Sequence, residues 1–232
     1  MLAHQLLNEQ IEAASEFWNE WEGEYKELSR LNEVFPGFDG TAVLLKAVVI
    51  NTLYGTNVYA IEKVAECVKT VMSKANHATG PDLVEELVEE MTKVSGRKHH
   101  SFASKFAHFF IDKDLPILDQ YAEFMVRWHL GSEQSQNHRR YLKFDEDIRK
   151  LKELAGLSCS NAQLDAYLWV AGEYLCWKKD PKVKITQELR ELFEEGRRYK
   201  RPELYRLLTA LLPAEVKEPC GQAKDLLLEP SP

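Results

Sequence analysis

Ser101-Phe102-Ala103-Ser104-Lys105-Phe106-Ala107-His108-Phe109-Phe110-Ile111, followed by Asp112-Lys113-Asp114-Leu115-Pro116-Ile117-Leu118-Asp119, is the stretch on which the reading of this chain turns. Arg97 to Ser101 reads as a turn, and Ser101 can cap a helix over about Phe102 to Ile111, because its hydroxyl can accept from the first free backbone N–H groups. Asp112 to Pro116 reads as a loop. Asp119 then takes the N-cap position of a helix reaching about Leu130.

Working outward, almost every segment carries helical spacing. Leu7, Ile11, Ala14, Trp18, Trp21, Tyr25 and Leu28 recur every three to four residues, which predicts one amphipathic helix over about 4–31. Pro36-Gly37-Phe38-Asp39-Gly40 breaks it. An apolar helix, expected to be buried all round, follows over about Thr41 to Leu53. The turn Tyr54-Gly55-Thr56-Asn57 separates it from a helix over about Val58 to Lys74. Gly80-Pro81-Asp82 opens an acidic helix that ends near Ser95-Gly96, with Pro81 and Asp82 suited to the first turn. Gly131 to Asn137 reads as a polar linker. Further helices are expected at about 138–155, 161–178, 185–196 and 202–211, and a frayed tail over 213–232. No segment alternates with a period of two, so the fold class is all-α, in one domain spanning 1–232.

The bulk composition is that of an ordinary globular chain: 232 residues, 44% hydrophobic and 29% charged. The longest apolar run, Thr41 to Ile50, is interrupted by Lys46 and is too short to span a bilayer. Glu9, Glu12 and Glu16 come too early for a signal peptide. Cys67, Cys159, Cys176 and Cys220 show no C-x-x-C and no histidine at ligand spacing. Neither a zinc site nor a disulfide framework is expected, and four scattered thiols suit a reducing cytoplasm. The net charge of −7 argues against a bulk electrostatic nucleic-acid binder. The acid is nevertheless concentrated elsewhere, and Arg97, Lys98, His99, His100 and Lys105 form a basic stretch with no acid in it.

Two stretches resemble the helix-hairpin-helix superfamily of DNA glycosylases, and most closely its 8-oxoguanine branch. The first runs Val48-Val49-Ile50-Asn51-Thr52-Leu53-Tyr54-Gly55-Thr56-Asn57-Val58-Tyr59-Ala60-Ile61. It is similar to the buried helix, polar turn and following helix with which the family enters DNA and fills the space of an extruded base. Asn57 falls at the last Asn of that turn, with Thr56 and Gly55 in place of earlier polar residues. The second is the stretch from Ser101 to His108 with Leu115 to Asp119. It is similar to the family's hairpin, catalytic Lys and Pro-Val-Asp segment, with Ser101 and Ala103 standing where the family carries glycines. The resemblance covers about Val43 to Val126.

The resemblance implies two helical lobes with a DNA cleft between them, lined by Lys105 and Asp119. It implies an N-glycosylase and abasic-site lyase acting on an oxidised purine in double-stranded DNA. A lysine nucleophile works only as the neutral amine, so a site of this kind must disfavour the ammonium. A place in the first turn of a helix and the neighbouring Phe102, Phe106 and Phe109 would both do so. Lys105 would attack the sugar C1′ and form a Schiff base. Asp119 would stabilise the cationic sugar and shuttle protons. Asn57, Thr56, His100, Ser101, Phe102, Ala103 and Ser104 would contact the DNA. The chemistry needs neither metal nor cofactor. A monomer in the cytoplasm, associated with the nucleoid in a prokaryote, is the setting expected.

Each residue also has a plainer reading. Lys105 taken alone is a solvated helix lysine, Asp119 an N-cap, Asn57 a turn residue tolerant of left-handed backbone, and Tyr54 and Phe102 core aromatics. The alternative at the level of the whole chain is a catalytically silent DNA- or protein-binding module on the same fold.

Overall fold

The structure is a computed structural model, and it describes residues 1–19, 23–74, 76–131, 140–180, 182–183, 185, 187–195 and 202–210. Among these residues it contains eleven helices and no strand: α1 (Asn8–Asn19), α2 (Gly23–Val34), α3 (Gly40–Leu53), α4 (Ile61–Met72), α5 (Gly80–Ser95), α6 (His100–Phe110), α7 (Gln120–Leu130), α8 (Arg140–Ala155), α9 (Asn161–Lys179), α10 (Gln187–Glu195) and α11 (Pro202–Thr209). The punctuation read from the sequence fixes several ends. Asp39 caps α3 by accepting from the N–H groups of Thr41 and Ala42 at 2.9 and 3.1 Å. Pro81 lies in the first turn of α5, and Gly96 closes that helix in the left-handed region at φ 69°. Ser160 and Gln163, which the sequence reading did not single out, form a capping box at the start of α9.

The helices pack in two groups. α2 to α6 contact one another, and α1, α7, α9 and α11 form a second set, with α10 against α11. α8 touches both groups, through α5 and α6 on one side and α7 on the other. The two sets are joined through one continuous core that includes Val43, Ile50, Leu83, Phe102, Phe106, Met125, Tyr141 and Leu168. α7 and α9 approach closely at Gly172, where an added Cβ would lie 2.8 Å from the Tyr121 Cβ and 3.0 Å from its carbonyl oxygen. That approach holds the start of α7 against the middle of α9.

Several expectations are corrected. Of the helix expected over about 4–31, the described residues hold α1 and α2, with 20–22 between them outside the described residues; α1 packs on α9 and α11, α2 on α3 and α6. Phe17 and Leu6 are core residues outside the expected stripe, while Leu7 is exposed. Trp21 falls outside the described residues, as do the linker from 132 and the tail over 213–232. α3 is not buried all round, for Leu45, Val48 and Leu53 are exposed while its one lysine, Lys46, is fully buried. The Lys46 amine donates to the Gly37 carbonyl at 3.1 Å and lies over the rings of Phe38 and Phe110, so it is satisfied inside. α6 begins at His100 rather than after Ser101, with His99 at the cap position and no side-chain cap bond.

Among the cysteines, Cys67 and Cys159 are free thiols, but Cys176 is disulfide-bonded, contrary to the expectation of four thiols. Spacing along a chain does not report which cysteines the fold brings together. Among the described residues no helix is long and apolar enough to cross a membrane. No group of three or more His, Cys, Asp or Glu among them could hold a metal ion.

Candidate active site at the α6–α7 junction

Lys105 and Asp119 come together. The Lys105 Nζ lies 3.6 Å from Asp119 Oδ2, and both side chains are largely shielded, with 6% and 17% of their surface exposed. The carboxylate divides its work. Asp119 Oδ1 caps α7, accepting from the N–H groups of Tyr121 and Ala122 at 3.0 and 2.9 Å, which leaves Oδ2 to face the amine. The amine also donates to Ser101 Oγ at 3.0 Å and sits 5.7 Å from the centre of the Tyr54 ring, which itself stacks on Phe109. With α6 starting at His100, Lys105 occupies the second turn rather than the first. The dipole at the helix N-terminus, which fades within one turn, is therefore a smaller influence than the sequence suggested.

The loop between the two helices is pinned at successive residues. Asn161 donates to the Asp114 carbonyl, His108 Nδ1 lies 2.8 Å from the Leu115 carbonyl, and the Tyr141 hydroxyl donates to the Pro116 carbonyl at 2.8 Å. Ser104 accepts from the Leu118 N–H at 3.0 Å and lies 3.3 Å from the Leu118 carbonyl. Asp119 therefore starts α7 from a fixed position beside α6.

Two further carboxyl groups reach this junction from α9. Asp165 keeps some surface, but its Oδ1 is buried with no hydrogen-bond partner. Burial pushes the Asp165 carboxyl well above the usual carboxylate range; Asp119 adds to the rise and Lys105 opposes it. The same residue lines a small recess with Pro116, Ile117, Leu164 and Leu168. Glu173, two turns on, has a buried and unpartnered Oε2, and burial followed by Asp119 pushes it up to about 8. Burial, with Glu173 and Asp119, lifts the Tyr121 phenol to about 12. The sequence reading passed over Asp165 and Glu173. Its available signal was two acids in an otherwise apolar stretch, Leu164 to Leu175.

The residues expected to meet DNA separate into two sets. Asn57 and Thr56 lie on the surface turn between α3 and α4, with Asn57 exposed and left-handed at φ 55°. Tyr59, two residues on, is 87% exposed. Asn51 organises this turn: its Oδ1 accepts from the Thr56 hydroxyl at 2.8 Å and the Val58 N–H at 2.9 Å, and its Nδ2 donates to the Val58 carbonyl at 3.1 Å. The second set is mostly inside. His100, Phe102, Ala103 and Ser104 are buried, and the Ala103 N–H is taken by the His99 carbonyl. Only Ser101 keeps partial exposure. Ala103 is small enough to pack inward, and a helix beginning at His100 turns Phe102 and Ala103 into the core.

His100 belongs instead to a buried cluster that holds the start of α8. Glu85 on α5 accepts from the N–H groups of Tyr141 and Leu142 at 2.7 and 3.2 Å, and His100 Nε2 lies 3.8 Å from its other oxygen. Arg140 pairs with Glu123 on α7. Burial, with Arg140, Lys98 and His99 nearby, drives the His100 imidazole down to about 4, so it is neutral at neutral pH.

A family model named HI_0787_N, described as an N-terminal domain, matches residues 7–114. The match covers under half of the chain and ends in the α6–α7 loop, so it includes Lys105 and stops short of Asp119. No curated protein and no solved structure matches the chain.

Proposed function

We propose that this protein is a DNA N-glycosylase with abasic-site lyase activity, acting on an oxidised purine such as 8-oxoguanine through a Schiff base on Lys105. The observation that carries the reading is the Lys105 amine 3.6 Å from the one Asp119 oxygen not used in capping α7. The Lys105 nitrogen attacks C1′ of the damaged nucleotide, the bond from C1′ to the base breaks, and the base leaves with the electron pair. Ring opening gives an iminium on Nζ, from which loss of a 2′ proton and the 3′ phosphate nicks the strand. Asp119 Oδ2 stabilises the developing positive charge on the sugar. The proton that Nζ must lose first has Ser101 Oγ and Asp119 Oδ2 beside it. Double-stranded DNA is the partner this chemistry requires, and a DNA-containing compartment, the cytoplasm and its nucleoid in a prokaryote, is the setting.

Burial favours a second reading, a silent DNA- or protein-binding module. Lys105 and Asp119 are mostly enclosed, Phe102 and Ala103 face the core, and the net charge is −7. Borohydride trapping separates the two. Duplex DNA with one 8-oxoguanine, or one abasic site, should give a covalent adduct that Lys105→Gln abolishes. Duplex binding without an adduct across several lesions would sink the enzymatic reading and leave the binding module.

A further inference from the structure

Ser104 precedes Lys105 on α6, and Leu118 precedes Asp119 at the start of α7. The two neighbours are joined as closely as the pair they flank. The Ser104 hydroxyl is fully buried, accepts from the Leu118 N–H at 3.0 Å, and has the carbonyls of Leu118 and Ser101 as acceptors at 3.3 and 3.2 Å. Its single proton can go to either carbonyl, while the bond from Leu118 is kept in both arrangements. We propose that Ser104 is the positioning residue of this site: it sets the approach of α7 to α6 and thereby the separation of Lys105 from Asp119. The inference rests on the lysine-nucleophile reading for its catalytic consequence, but its geometric content stands apart from that reading.

The rest of the loop is anchored without Ser104, through Asn161 at Asp114, His108 at Leu115 and Tyr141 at Pro116. Removing the hydroxyl therefore leaves the loop docked and releases the one residue that precedes the catalytic acid. A displacement of about an ångström between reacting groups is enough to slow a reaction by roughly 100-fold.

The test uses the full chain with Ser104→Ala, Ser104→Thr, Asp119→Asn and the double variant Ser104→Ala/Asp119→Asn. On saturating abasic duplex, Ser104→Ala should slow single-turnover adduct formation roughly 10- to 100-fold with the half-saturating DNA concentration unchanged. Ser104→Thr, which keeps the hydroxyl, should restore the rate to near wild type, and Asp119→Asn should cost little more in the Ser104→Ala background. A Ser104→Ala protein that traps at the wild-type rate, or that slows only through weaker DNA binding, overturns the proposal. So does failure of threonine to rescue.

If the wild-type protein forms no adduct on any DNA, the lysine-nucleophile reading fails. The positioning role is then decided by acetylation of Lys105, followed by mass spectrometry. Equal, non-additive acceleration in Ser104→Ala and Asp119→Asn supports it, and a wild-type rate in Ser104→Ala overturns it.

Discussion

The two stretches on which the proposed glycosylase reading rests fold in opposite senses. The α3–α4 turn faces outward: Asn57 and Tyr59 are exposed, and Asn51 beneath them ties the backbone with three hydrogen bonds. The start of α6 faces inward: Phe102, Ala103 and Ser104 join the core, and His100 is enclosed beside Glu85. A polar turn held by a side chain below it can present residues to a partner without moving. A helix start whose small residues pack inward presents almost none.

The contrast is broken most directly by truncation. Phe102 is buried against Phe106, with ring centroids 6.0 Å apart. Phe102→Ala should cost about 3–5 kcal/mol of unfolding free energy, whereas Thr56→Ala, on the turn, should cost about 1 kcal/mol for its one hydrogen bond. Urea titration of both variants checks this. A loss near 1 kcal/mol at Phe102 would mean that the start of α6 is not the core element described above.

Acid separates the same two regions. The His100 imidazole is held at about 4 by burial, against an ordinary value of 6.5. The unfolded chain takes up a proton as pH falls through 6.5, while the folded chain refuses it until about 4. The stability contributed by neutral His100 is thus fully present above 6.5 and is lost as pH falls from 6.5 to 4, by roughly 3 kcal/mol at most. Glu173 runs the other way. Its folded carboxyl keeps a proton up to about 8 that the unfolded chain releases near 4.5, so its contribution falls as pH rises through that window. The two slopes overlap between 4.5 and 6.5, and the measurement must be a difference. His100→Asn should make the slope of unfolding free energy against pH between 4 and 6.5 more negative than wild type by about one proton, while Thr56→Ala should leave it unchanged. An unaltered slope in His100→Asn would mean that water reaches this imidazole.

What the sequence could reveal divides along the same line. Helix ends were legible because caps are local: Asp39, Pro81, Asp119 and Gly131 each act within a few residues of where they stand. The meeting of Lys105 with Asp119 was legible only through what the resemblance to the glycosylase superfamily implies. The groups that complete the junction come from α9, some 46 residues beyond Asp119 at Asp165, and no local signal relates an acid there to the amine on α6. The inward turn of α6 was missed for a similar reason. Small residues permit both an exposed backbone and a buried one, and the packing of α2, α3, α5 and α8 around α6 decides which is realised. Lys46 likewise looked like an interruption of an apolar helix, although the fold satisfies its charge with the Gly37 carbonyl and two rings.

Asn51 offers a smaller and sharper test of the outward region. Asn51→Ala leaves the buried Val58 N–H without its acceptor and frees the Thr56 hydroxyl. A loss of about 1–3 kcal/mol is expected, with faster hydrogen exchange at the Val58 amide and none at Leu118. Protection at Val58 that survives the substitution would show that the turn is held by something other than Asn51.

The smallest effect is the most specific. Asn57 is exposed and left-handed at φ 55°, a conformation that costs an alanine about 1 kcal/mol and a glycine almost nothing. Asn57→Ala should therefore be less stable than Asn57→Gly by about 1 kcal/mol, and Asn57→Gly should melt within a few tenths of wild type. Because glycine preserves the backbone and removes only the side chain, any loss of duplex affinity in Asn57→Gly reports a contact made by that side chain. Wild-type affinity in Asn57→Gly, together with wild-type affinity in Thr56→Ala, would detach the turn's polar residues from DNA and remove the outward half of the comparison.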